Sequence, residues 1–186
     1  MIFDCETTGL PSQRSVPYMV QLAWGVYEAN GTPIEEHSYI IKTDGFTIPK
    51  TSTNIHGISN EVAQAHGFPL REVLKNFLKS AERPHTRLVA HNIEFDIRVL
   101  KAELERANIR TRVLSKPKFC TMKATTNICK LPKRGANEYK WPSLQELYLY
   151  LFGRYYNGAH NALSDVRATA DCFFELIRRK LIKFEH

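Results

Sequence analysis

The sequence predicts an α/β fold in which a mixed five-stranded sheet is flanked by helices. Three observations carry that expectation. Residues 18–28 and 34–42 are rich in β-branched and aromatic side chains, and Asn30-Gly31 between them signals a hairpin. Downstream, short apolar runs alternate with segments of helical period. In the last of these, Leu163, Val166, Ala170, Phe173 and Ile177 recur at alternating spacings of three and four.

Residues 1–4 read as a short first strand, broken by Thr8-Gly9 and Pro11. The hairpin supplies the next two strands. Residues 43–69 are punctuated by Gly, Pro, Thr and Ser, leaving one short helix near 61–65. Leu70, Val73, Leu74, Phe77 and Leu78 predict a helix over 69–81, followed by a buried strand at 88–90. Ile93, Ile97, Leu100 and Leu104 form a second helical stripe, with Asn92 placed to cap it. A strand near 119–120 and helices over 122–129 and 143–152 complete the series. Between those helices lies KLPKRGANEYKWP, residues 130–142, with four Lys and Arg and two aromatics. It reads as a mobile basic loop, ended by Pro142 and a helix cap at Ser143.

A chain of 186 residues accommodates one well-buried domain, here taken as 1–186. Hydrophobic residues at 43% and charged residues at 24% exclude a disordered chain. The surplus of 26 Lys and Arg over 19 Asp and Glu, a formal charge of +7, fits either a polyanionic partner or simple solubility. Cys5, Cys120, Cys129 and Cys172 lack the spacing of a disulfide framework or a zinc site, which favours reduced thiols. No apolar run approaches the ~18 residues of a membrane span, and the N-terminus has no secretory pattern. A cytoplasmic location is expected.

Aspartates are scarce, and their positions are informative. Asp44 precedes Gly45 as a turn residue, and Asp171 falls on the wet face of the last helix. Asp4 and Glu6 are two apart on a strand and project from one face, where two acids repel unless a divalent cation lies between them. Two solvated acids are the plain alternative. The flanking Thr7-Thr8-Gly9-Leu10 offers backbone N–H groups and small side chains suited to a terminal nucleotide, with Leu10 as a wedge against its base. Asp96 in HNIEFDIRVL adjoins a core stripe and is expected to face a polar crevice; its neighbour Phe95 either packs in the core or stacks on a base. Asp165 sits in the first turn of the last helix, where the helix dipole favours an acid anyway. His160 precedes that helix on a loop, with an ordinary pKa of ~6.5 suited to a general base. His37, His66, His85 and His186 read as incidental. Together the acids fit two-metal phosphodiester hydrolysis.

The order FDCETTG, HNIEFD, HNALSD resembles the DnaQ-like (DEDDh) 3′→5′ exonuclease family over nearly the whole chain. The resemblance implies a ribonuclease H-like fold, with Asp4, Glu6, Asp96 and Asp165 holding two Mg²⁺ or Mn²⁺ ions and His160 as general base. The tyrosine subclass places its Tyr four residues before the last Asp, where this chain has Asn161. Ile55-His56-Gly57-Ile58 is similar to a family segment near the bound nucleotide; Thr7, Leu10, Asn92 and Phe95 match positions around the substrate. Asp4 stands unusually near Met1, so the first strand is expected to be short upstream. The chain ends soon after its last helix, which suggests a stand-alone domain, monomer or homodimer, with no polymerase partner indicated.

The resemblance favours single-stranded DNA as substrate, with release of nucleoside monophosphates. An exoribonuclease of the oligoribonuclease or ribonuclease T type shares all three motifs. A non-catalytic nucleic acid-binding module is disfavoured, because all four acids and His160 are present.

Overall fold

The computed structural model describes residues 1–12 and 15–183. Along the chain run β1 (Ile2–Thr7), β2 (Met19–Tyr27), β3 (Pro33–Ile40), α1 (Lys50–His56), α2 (Asn60–His66), α3 (Leu70–Ala81), β4 (Leu88–Ala90), α4 (Ile93–Arg106), β5 (Lys118–Cys120), α5 (Thr121–Ala124), α6 (Thr126–Cys129), α7 (Leu144–Phe152) and α8 (Ala162–Arg178). The sheet order is β3-β2-β1-β4-β5. β1, β2 and β3 pair antiparallel, whereas β1, β4 and β5 pair parallel, so the sheet is mixed as expected.

The hairpin forms where Asn30-Gly31 demands it. Gly31 has φ 93°, and the Asn30 side chain accepts from the Thr32 N–H at 2.9 Å. On one sheet face, Phe3, Leu22, Trp24 and Leu88 bury against Leu74, Phe77 of α3 and Val99, Leu100 of α4. On the other, Ile2, Ala23 and Val89 meet Val166, Ala170 and Phe173 of α8. α7 then packs on the outer side of α8 through Leu147 and Leu151 against Ala168, Cys172 and Leu176. α3 and α4 are amphipathic because each has one side to bury, whereas α8 is sandwiched between the sheet and α7. No helix among the described residues is long and apolar enough to cross a membrane.

Four local expectations are corrected. β1 extends to Thr7, past the 1–4 run, because its ladder to β2 continues through Glu6 opposite Gln21. α1 arises in a segment read as irregular: KTSTNIH lacks a helical stripe, and the helix is bounded by Pro49 and by Gly57 in the left-handed region (φ 78°). Asn92 does not cap α4 with its side chain; its own backbone is left-handed (φ 72°), which turns the chain sharply out of β4. The 122–129 helix is two short turns split at Thr125, whose hydroxyl bonds back to the Thr121 carbonyl at 2.8 Å and competes with the helical ladder. Ser143 does cap α7, in a reciprocal capping box with Glu146.

Candidate active site

Strand alternation sets the first pair of acids. Ile2 packs against α8, so Asp4 and Glu6, two and four residues on, project toward the same helix. Asp165, in the first turn of α8, meets them there. Glu6, His160 and Asp165 each offer a ligand atom, and all three atoms lie within 4.8 Å of one another. Asp96 arrives from the start of α4. It is 2% exposed, and its Oδ1 accepts from both the backbone N–H and the thiol of Cys5, each at 3.2 Å. The polar crevice expected for Asp96 is a buried one, shared electrostatically with the other acids.

The electrostatics report how crowded the four carboxyls are. Burial, then the charges of Asp96, Asp165 and Glu6, hold Asp4 well above the usual carboxylate range. Burial, Asp165 and Asp96 raise Glu6 to about 7. Burial raises Asp96 to about 7 despite the opposing hydrogen bonds from Cys5. Asp165 is also raised by burial, against the pull of hydrogen bonds from Tyr156 and the His160 backbone. No lysine or arginine is among the causes of these shifts for the described residues; the one opposing side-chain charge is that of His160, which lowers Asp165.

His160 is exposed and holds a left-handed backbone (φ 65°), a conformation a side chain adopts only when its surroundings enforce it. Its N–H donates to Asp165 Oδ2 at 3.3 Å, and Asn161 next to it caps α8 by accepting from the Ser164 N–H. The helix start thus fixes where the imidazole stands.

The remaining predicted contacts divide. Leu10 is 85% exposed at the end of β1, free to meet a ligand. Thr7 is buried rather than open, with its hydroxyl donating to the Gly9 carbonyl at 2.6 Å. Thr8 Oγ1 accepts from the Tyr18 N–H at 3.0 Å, so both hydroxyls shape the loop. Phe95 is half-buried against the α3/α4 core, as the packing alternative expected. Asn92 turns the chain just before Asp96. His56 is buried; its Nδ1 accepts from the Ile58 N–H at 3.1 Å, so Nε2 carries the proton. That Nε2 is buried; burial lowers the His56 pKa, a hydrogen bond with the Thr7 backbone partly opposes, and the charge of His160 lowers it further.

One contributor to the site and one buried structural acid were not anticipated. Tyr156 donates from its hydroxyl to Asp165 Oδ1 at 2.7 Å. It lies nine residues upstream on a loop, where no periodicity marks it. Glu103, one α4 stripe beyond Asp96, is 2% exposed and accepts from the Met19 N–H and from Arg106. A seven-residue spacing from an acid already singled out was the available signal. A separate cavity of about 450 Å³, lined by Met1, Tyr27, Arg83 and Phe174 among others, opens at the opposite end of the strands and contains none of the four acids.

The sequence profile of the RNase_T family, described as exonuclease, matches residues 1–173. The chain belongs to that exonuclease family. It is 27% identical over 185 residues to the DNA polymerase III subunit epsilon of Aquifex aeolicus, covering 99% of this chain and 83% of that one. This exonuclease domain also shares its fold with E. coli exonuclease I in complex with a dT13 oligonucleotide, at a TM-score of 0.79 and 20% identity over 96% of this chain. A zinc-bound exonuclease I–ssDNA complex from E. coli superposes with a TM-score of 0.78 at 20% identity over 97% of this chain. The domain spans 41% of each exonuclease I chain.

Proposed function

We propose that this exonuclease domain hydrolyses phosphodiester bonds from the 3′ end of single-stranded DNA and releases nucleoside monophosphates. The observation that carries the reading is the convergence of Glu6, His160 and Asp165 within 4.8 Å. Asp4 and Asp96 couple electrostatically to the same group. Carboxyls that are buried or half-buried and repel one another, with no lysine or arginine among the groups that act on them, are the donor set a hard divalent cation requires. In this reading Asp4, Glu6, Asp96 and Asp165 hold two such ions, magnesium or manganese. When bound, they supply positive charge for the developing oxyanions and acidify the attacking water.

The chain's own residues do the rest. His160 accepts the water's proton on the solvent side, held there by the start of α8. Gly9 and Leu10 receive the terminal nucleotide, with Leu10 wedged against its base. His56 stands beside the nucleotide, its ring held in place by the Ile58 N–H. Asn92 and Phe95 line the entry beside Asp96. The preference for DNA follows the epsilon subunit and the exonuclease I complexes, whose names specify DNA.

A 5′-labelled DNA strand and its RNA equivalent, incubated with Mn²⁺, test this directly. A ladder of shortening products on DNA is expected, abolished by EDTA and by His160→Ala. A ladder confined to RNA would replace the substrate, and no shortening of either would overturn the reading.

A further inference from the structure

Residues 130–142, basic and aromatic in sequence, are folded into a small arm. An antiparallel bridge joins Pro132 to Tyr139. Lys133 N–H donates to the Glu138 carbonyl at 3.1 Å, and Lys140 N–H donates to that of Leu131 at 2.9 Å. The base of the arm is fastened to the second acidic motif through His91. Its Nε2 lies 3.0 Å from the Pro142 carbonyl and its Nδ1 lies 3.0 Å from the Thr121 hydroxyl. A carbonyl only accepts, so Nε2 carries the proton and Nδ1 accepts from Thr121. Burial lowers His91 to about 4, and the ring stays neutral near pH 7. Ile2 pairs with Val89 in parallel register, so His91 leaves β4 level with Asp4. The arm is therefore rooted at the same end of the strands as the acids.

Its outward side joins rings to cations. Trp141 is 59% exposed and Tyr139 is 44% exposed. Lys123 Nζ lies 5.6 Å from the Trp141 ring centroid. Lys130, Lys133, Arg134 and Lys140 follow along the arm. Glu138, Glu146 and Glu94 pair with Lys133, Lys140 and Lys123, but these are exposed pairs of small net worth that a phosphate readily replaces. Interleaved rings and cations are the signature of a track for single-stranded nucleic acid, because bases stack on aromatic faces while phosphates meet the charges.

We propose that the arm docks the strand upstream of the scissile bond, with a base stacked on Trp141 and phosphates on Lys133 and Arg134. The inference rests on the nuclease reading above. It separates two lengths of substrate: a strand of about 15 nucleotides reaches the arm, whereas one of about 3 occupies the acid site alone.

Trp141→Ala is expected to lower kcat/KM on the long strand about 10-fold and to leave the short one within about 2-fold, with Trp141→Phe restoring the difference. Lys133→Ala combined with Arg134→Ala should flatten the slope of log Kd against log salt for the long strand by about 1.4, at ~0.7 per lost phosphate contact. Equal losses on both lengths, or no loss on either, would overturn the arm's role. An unsubstituted protein that cut neither length would instead defeat the nuclease reading, and the arm's role with it.

Discussion

The Tyr156 hydroxyl donates to one oxygen of Asp165 at 2.7 Å, while the His160 backbone N–H donates to the other at 3.3 Å. The carboxylate is therefore gripped from both sides, in a plane set by protein alone. Tyr156 is itself clamped to α7, donating its N–H to Gln145 Oε1 and accepting from Gln145 Nε2.

Loosening that grip should weaken cation binding more than folding. Tyr156→Phe is expected to reduce Mn²⁺ affinity about 10-fold, as outer partners of metal ligands do. Its cost in stability should be only about 1 kcal/mol. Calorimetric titration of the metal-free protein with Mn²⁺, beside its urea midpoint, separates the two. An unchanged Mn²⁺ affinity would show that Tyr156 does not orient Asp165 for a cation.

The repulsion among the acids predicts a trade between stability and activity. Asp4→Asn removes a charge that burial and Asp96 both disfavour. In EDTA at pH 8 the variant should melt about 2–4 °C higher, the shift expected from ~1 kcal/mol in a chain of this size. Cleavage should fall about 1,000-fold or more. A lower melting temperature in EDTA would contradict the reading of Asp4 as strained by its neighbours.

The same groups fix a pH signature. Glu6 and Asp96 are raised from 4.5 and 3.8 to about 7 in the folded chain. Their protonated forms favour the fold, so their contribution is fully present below about pH 4 and is lost as pH rises through 7. Protons and cations compete for those oxygens, so the rise in melting temperature on adding Mn²⁺ should grow between pH 5 and pH 8. His91 and the N-terminus, lowered to about 4 and about 6, act in the opposite sense. Neither hydrogen-bonds to the four acids, so their contribution is common to both conditions and cancels in the difference. Differential scanning fluorimetry with and without Mn²⁺ reads it, and a flat difference would contradict the shared site.

Glu103 makes a purely structural prediction. Glu103→Ala strands the Met19 N–H and the Arg106 guanidinium, which also donates to the Pro17 and Val16 carbonyls. A loss of about 3 kcal/mol is expected in urea unfolding. A loss below about 1 kcal/mol would mean that the segment before β2 is held by other contacts.

Much of this is legible in the sequence, for reasons that differ by element. α3 and α4 bury one apolar stripe, α8 carries its sheet-facing stripe at helical spacing, and the hairpin is marked by its β-rich strands and Asn30-Gly31, so pattern exposes them. α1 escaped because KTSTNIH has no apolar stripe and exists by virtue of its ends. The five candidate catalytic residues stood out because charge at a strand end, a helix start and a tight loop conflicts with local preference. Tyr156 did not stand out, since its relation to Asp165 is spatial and carries no pattern. The Thr7 and Thr8 hydroxyls were read as open to a ligand, yet β-bulge geometry between Glu6 and Thr7 turns them onto the backbone. His186 lies outside the described residues, while His37 stacks on Trp24 at 4.8 Å and belongs to the fold.

Asp96 and Glu103 both take a main-chain N–H from the sheet, one from Cys5 and the other from Met19. Inserting a single residue between them would swing one away from the other by about 100°. Either the strand edge or the acid site would then lose its anchor. The stretch of α4 between them acts as a ruler, and its length is as constrained as any side chain it carries.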